Sequence, residues 1–109
     1  MKRVVITGAG TINALGHTVN ETFEAMREGR CGIAPVTFRD VERLSIQIGG
    51  QVRNFTPEGV FNRQQLVLYD RFTQFSLLAA KEALEQSGLV FTGELAATSG
   101  VVLGTAGGG

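Results

Sequence analysis

Ser99-Gly100-Val101-Val102-Leu103-Gly104-Thr105-Ala106-Gly107-Gly108-Gly109 joins a short apolar run to a glycine-rich turn. Residues 99–103 read as a buried strand, because the run is short, apolar and bounded by glycine. The glycines that follow bring no side chain to pack and carry the largest backbone entropy cost of any residue. A turn of this kind after an apolar strand feeds a helix or lies against a ligand, since glycine permits close backbone approach. The chain therefore reads as the front portion of a larger α/β enzyme, with the reactive groups expected in sequence beyond residue 109.

Working outward, residues 3–7 repeat the pattern: Arg3-Val4-Val5-Ile6-Thr7 is a β-branched run ended by Gly8-Ala9-Gly10. Thr18-Val19-Asn20-Glu21 has capping-box form and opens a helix that carries Val19, Phe23 and Met26 on one stripe and stops at Gly29. Residues 32–36 read as a tight connection. Residues 45–55 read as a second strand interrupted by Gly49-Gly50, in the manner of a bulge. Thr56-Pro57-Glu58 starts a short helical turn, and residues 61–69 form a turn of helix or an irregular segment. Residues 70–87 give the strongest helix: Phe72, Phe75, Leu78, Ala79 and Ala83 face one way, Leu77, Ala80 and Leu84 widen that face, and Gly88 ends it. A helix so apolar belongs in the middle of a layered fold. The order β-α-β-α-β predicts a parallel sheet with right-handed crossovers and a functional carboxyl edge. Residues 1–109 show no internal domain boundary.

Ten basic and ten acidic residues give zero formal net charge, which removes the electrostatic case for nucleic acid or an anionic membrane. Hydrophobic content of 43% suffices for a core. The single cysteine, Cys31, excludes an internal disulfide framework and a cysteine-based metal cluster, and fits a reducing cytoplasmic setting. No apolar stretch reaches the length of a membrane span, and the protein is expected to be soluble.

Three motifs invite chemistry, and each has a simpler reading. Gly8-Ala9-Gly10-Thr11-Ile12-Asn13 begins like a dinucleotide fingerprint, but Asn13 stands where the final glycine is needed. No acidic residue ends the second strand to hold a ribose, so a nucleotide-dependent oxidoreductase domain is the weaker alternative. Cys31 follows Arg30, a cation that would favour the thiolate. It also follows a helix C-terminus, where the dipole opposes one. His17 reads as a loop-end residue, and Asp70-Arg71 as a helix cap beside a solvated charge.

With these pieces placed, the chain resembles the amino-terminal quarter of β-ketoacyl-[acyl-carrier-protein] synthases. The likeness is to the elongating type II branch that includes nodulation and polyketide condensing enzymes. It is carried in order by Arg3-Val4-Val5-Ile6-Thr7-Gly8-Ala9-Gly10, Asn13-Ala14-Leu15-Gly16 and Met26-Arg27-Glu28-Gly29-Arg30-Cys31-Gly32-Ile33. Asp70-Arg71-Phe72, Ala79-Ala80-Lys81-Glu82-Ala83-Leu84 with Ser87-Gly88, and Gly100-Val101-Val102-Leu103-Gly104-Thr105 complete it. The resemblance implies a thiolase-like layered α/β fold of two similar halves, of which these residues are the first part. It further implies a homodimer or ketosynthase heterodimer, acyl carrier protein as partner, acyl and malonyl thioesters as substrates, and no cofactor or metal. The family's nucleophilic cysteine and histidines lie beyond residue 109, so no catalytic residue is carried over and the chain alone is expected to be inactive. A non-catalytic chain-length-factor subunit is the alternative within the same superfamily.

Two departures from the family pattern supply candidate site residues. Relatives often place isoleucine in the last glycine loop, where it limits the acyl pocket; here Gly107, beside Gly108, takes that place, which implies a roomier pocket. The segment before Asp70 is basic in many bacterial relatives and helps dock the carrier protein. Here Asn62-Arg63-Gln64-Gln65-Leu66-Val67-Leu68-Tyr69 keeps only Arg63, with Leu66, Val67 and Leu68 expected to bury against something.

Overall fold

A computed structural model describes residues 2–108. Helix α1 spans Val19–Arg27 and strand β1 spans Ile33–Pro35; a 3₁₀ turn at Val41–Arg43 precedes strand β2, Ile48–Gly50. A second 3₁₀ turn at Pro57–Gly59 leads into α2 at Arg63–Leu68, α3 at Arg71–Ser87 and α4 at Gly93–Thr98. The chain is α/β, but its sheet is not the expected one.

β1 and β2 pair antiparallel, with Ile33 opposite Gly50, Ala34 opposite Gly49 and Pro35 opposite Ile48. One-for-one pairing leaves no bulge at Gly49-Gly50. β1 falls on the segment read as a tight connection, and only the 3₁₀ turn at Val41–Arg43, not an α-helix, lies between the two strands to connect them. The Gly49 backbone passes close under Val36, where an added Cβ would sit 3.3 Å from Val36 Cγ1. Residues 3–7 and 99–103 form no strand among the described residues. A β ladder needs a neighbour to exchange hydrogen bonds with, and both runs lie open: Val4 is 93% exposed and Val102 99%.

α1 and α3 follow the sequence closely, while α4 is not read from it. Thr18 caps α1 by accepting from Glu21 N at 3.2 Å, while the Glu21 carboxylate accepts from His17 N at 2.7 Å, one residue further back than in a capping box. Gly29 ends α1 in the left-handed region at φ 68, with Gly29 N donating to Met26 O and Arg30 N to Ala25 O, the double bond of a Schellman turn. α2 has a complete capping box: Asn62 Oδ1 accepts from Gln65 N, and Asn62 N donates to Gln65 Oε1, both at 2.9 Å. α3 is capped by Asp70, whose Oδ1 accepts from Thr73 N at 2.8 Å, and stopped by Gly88 at φ 64. No helix of the described residues is long and apolar enough to cross a membrane.

Burial corrects three further expectations. On α1 the residue taken out of solvent is Ala25, while Phe23 and Met26 face outward. On α3 the side bearing Phe72, Phe75, Leu78, Ala79 and Ala83 is half-buried, while Leu77, Ala80 and Leu84 are open. Leu66 is half-buried, but Val67 and Leu68 are exposed. Among the described residues the buried apolar side chains are Ala25 and Phe61. The radius of gyration is 16.9 Å, against about 13 Å for a compact domain of this size. The apolar surface is present, and most of it is not covered by these residues.

The Thr73 backbone N–H holds the Asp70 carboxyl below the ordinary carboxylate range, with the Thr73 hydroxyl adding to it. A folded-state value below the unfolded one gives stability that is present above the ordinary range and lost as pH falls through the folded value. Thermal melts should show Asp70→Ala less stable than the unmodified protein near about pH 7, with the gap closing near about pH 2. A gap independent of pH would remove the carboxylate from this role.

Candidate functional site

α3 is the element on which the other functional segments are laid. Residues 8–11 run along it, and two of their backbone donors reach its side chains. Ala9 N donates to Gln86 Oε1 at 2.6 Å and Thr11 N to Glu82 Oε2 at 2.9 Å. The approach is so close that a Cβ on Gly8 would run into the Ala83 carbonyl oxygen, and one on Gly10 into that of Ala79. Glycine at positions 8 and 10 is what this contact requires.

The same glutamate ties down α1. Glu82 Oε1 accepts from Val19 N at 2.8 Å, one of the amides that a helix start leaves without an internal partner. A carboxylate there also meets the positive end of the helix dipole. The loop between Thr11 and Val19 is knitted by Asn13: its Nδ2 donates to Thr11 Oγ1 and Thr22 Oγ1, both at 3.0 Å, and its Oδ1 accepts from Leu15 N at 2.8 Å. Asn13 N closes the turn on Gly16 O at 2.9 Å, and a Cβ at Gly16 would sit 2.6 Å from Glu21 Cβ. Asn13, which fails the dinucleotide fingerprint, is thus the residue the turn is built on.

A cleft of about 350 Å³ opens beside this seat, lined by Ile12, His17, Phe55, Leu78, Lys81 and Glu82 among others. His17 Nε2 lies 2.7 Å from Arg53 O, and its ring meets Phe55 edge-on at 6.2 Å. Phe55 meets Phe75 at 5.2 Å, and the Arg71 guanidinium lies over both rings, 5.5 and 5.1 Å from their centres. Arg71 is therefore stacked, not merely solvated beside a cap, and His17 is tied to the 53–55 segment. Among the described residues no group of three His, Cys, Asp or Glu is placed to hold a metal ion.

The candidate site residues from the sequence lie elsewhere. Gly107 and Gly108 are exposed; a Cβ at Gly107 would meet nothing within 4 Å, and Gly108 N donates to Thr105 Oγ1 at 2.8 Å. Arg63 is the exposed first residue of α2. Cys31 is exposed in the connector after α1, its thiol 3.8 Å from Ile33 O. Sequence reasoning passed over Glu82, Gln86 and the stacking of Arg71. The signal for the first two was available, since positions 82 and 86 are four apart on the face that also presents Ala79 and Ala83.

The sequence matches the family described as Beta-ketoacyl synthase, N-terminal domain, over residues 1–109. Among curated proteins, the 3-oxoacyl-[acyl-carrier-protein] synthase 2 of Synechocystis sp. is 35% identical over 108 residues, 99% of this chain and 26% of that protein. The protein of the same name from Coxiella burnetii is 36% identical over the same shares. Nodulation protein E of Rhizobium sp. is 38% identical over 99% of this chain and 27% of its own length. The chain thus spans about a quarter of the length of the curated relatives it matches.

Glu82→Ala removes both acceptor oxygens and leaves the Thr11 and Val19 N–H groups without their partner. It should cost about 1 to 3 kcal/mol in denaturant unfolding, the range for leaving a partly buried donor unsatisfied. Hydrogen exchange should quicken at Thr11 and Val19 together. Faster exchange at only one of them would break the bridge reading.

Proposed function

The chain belongs to the β-ketoacyl synthase family, in its N-terminal domain, and on that premise we propose that the whole protein is a 3-oxoacyl-[acyl-carrier-protein] synthase of fatty acid or polyketide synthesis. The supporting observation is collinear identity of 35 to 38% with synthases and a nodulation protein across 99% of the chain. In this reading an acyl group passes from carrier protein to an enzyme cysteine, releasing the carrier thiol. A malonyl thioester then loses CO₂, and the resulting carbanion attacks the acyl carbonyl and expels the cysteine thiolate. The product is a 3-oxoacyl thioester on the carrier.

Such a cysteine needs a helix N-terminus to favour its thiolate and backbone N–H groups to hold the oxyanion. Cys31 sits after a helix C-terminus, so it is not that residue, and we assign residues 1–109 no catalytic group. They supply scaffold. We place them in the first half of a thiolase-like layered fold, where α3 lies in an inner layer and covers the open side bearing Leu77, Ala80 and Leu84. The apolar runs at residues 4–6 and 101–103 gain their partners there, and a homodimer completes the assembly. Catalysis as proposed draws on no cofactor, and the setting is cytoplasmic.

Gly107 and Gly108 line the acyl pocket in this reading. The open space at Gly107 leaves room for a longer or bulkier chain. Arg63 contributes to docking the acidic carrier, reduced to a single cation in a segment that ends in exposed Val67 and Leu68.

The full-length gene product, given acyl- and malonyl-carrier protein, should release CO₂ and form 3-oxoacyl-carrier protein. No condensation with any acyl length tried would overturn the assignment. In the active enzyme Gly107→Ile should shift preference toward shorter acyl groups, and an unchanged chain-length profile would remove Gly107 from the pocket. Arg63→Glu should weaken carrier affinity by about threefold to tenfold, as rim charges do. Unaltered affinity would count against docking at α2.

A further inference from the structure

We propose that the cleft between Arg53 and Arg71 binds a phosphate group. The cleft holds about 380 Å³ and is lined by Thr37, Gln51, Val52, Arg53, Asn54, Phe55 and Arg71. Every charged side chain in that lining is a cation, in a chain whose formal net charge is zero. Among the described residues neither guanidinium pairs with a carboxylate. The Asp70 carboxylate, adjacent in sequence to Arg71, is engaged by Thr73 N.

The donors are fixed in place. Arg53 spends one nitrogen on Pro35 O, at 2.6 Å, which anchors its head and leaves the rest of its N–H fork available. Arg71 lies over Phe55 and Phe75, which restrains its plane while leaving its N–H edges unused. Gln51 Oε1 accepts from Thr37 N at 2.9 Å and from Thr37 Oγ1 at 3.1 Å, so the amide turns its NH₂ outward as a donor. Two held guanidinium forks with an added amide donor and no carboxylate suit a tetrahedral oxyanion, which guanidinium meets bidentately. Arg71 also walls a neighbouring cleft of about 440 Å³ that contains Phe38, Val52 and Phe75. A phosphate ester can therefore lay an apolar group there while its head stays between the arginines.

Calorimetric titration at fixed ionic strength with inorganic phosphate and with hexyl phosphate tests the site. Saturable phosphate binding should weaken about tenfold in Arg71→Met, which keeps apolar bulk over the rings, and likewise in Arg53→Met. Arg27→Gln, on the outer face of α1, should leave it unchanged. Tighter binding of hexyl phosphate than of phosphate identifies an organic ester as the ligand, and equal binding identifies free phosphate; either supports the site. In the unmodified protein, phosphate should also shift the side-chain Nε–H resonances of both arginines, which keeps the test open should a variant unfold. Absence of saturable binding, unmoved arginine resonances, or binding that survives both substitutions would overturn the proposal.

Discussion

The structure depends on a match between two repeats. In an extended segment, amides on one edge recur every second residue, about 6.7 Å apart. On a helix, side chains four apart rise about 6 Å. Residues 9 and 11 and residues 86 and 82 use that near-coincidence: two amides on one side meet an amide oxygen and a carboxylate oxygen on the other. Both contacts bring the backbones together, and a side chain at Gly8 or Gly10 would run into the carbonyls of Ala83 and Ala79. A Cβ at either glycine would force the segment off α3, and the Glu82 bridge to α1 would lose one of its ends. Overpacking of that kind costs about 1 to 3 kcal/mol even where a structure relaxes.

Much of what surrounds this seat is exposed apolar surface. A chain with 43% hydrophobic residues that buries only Ala25 and Phe61 among its described apolar side chains holds its segments by hydrogen bonds, caps and aromatic stacking. That agrees with a family in which these residues correspond to about a quarter of the curated relatives. It also shows why local and long-range order part company here. Helix caps and turns are satisfied within a few residues, whereas a β ladder draws on distant chain.

The same division decides what could be read from sequence. Thr18, Asp70, Gly29 and Gly88 mark helix ends because capping is a local transaction between a side chain or glycine and amides three or four residues away. α1 and α3 were legible for that reason. The capping box of Asn62 and Gln65 obeys the same rule and was legible in principle. α4 has only Thr92 ahead of Gly93, with no side-chain cap bond to announce it. Strand pairing was not legible: residues 3–7 and 99–103 have the composition of strands and lack a neighbour, while residues 33–35 look like a connection and find one in β2. Of the site, the glycine motifs were visible but their partner was not. Nothing local in residues 8–11 states that alanines 79 and 83 lie beneath them.

α3 orders both edges of the molecule at once because its sides carry different chemistry. Ala79, Glu82, Ala83 and Gln86 offer small surface and acceptors, and they collect the amide-rich segments at residues 8–19. Near its start, Arg71 and Phe75 offer a stacked cation and collect Phe55, and through it the 51–55 segment with Arg53. His17 closes the circuit, since it follows the Asn13 turn and reaches Arg53 O. The acceptor end and the donor end of one helix are therefore joined through a single histidine. Residues 13–17 and 53–55 thus link the two ends of α3 by a run of contacts separate from the helix itself.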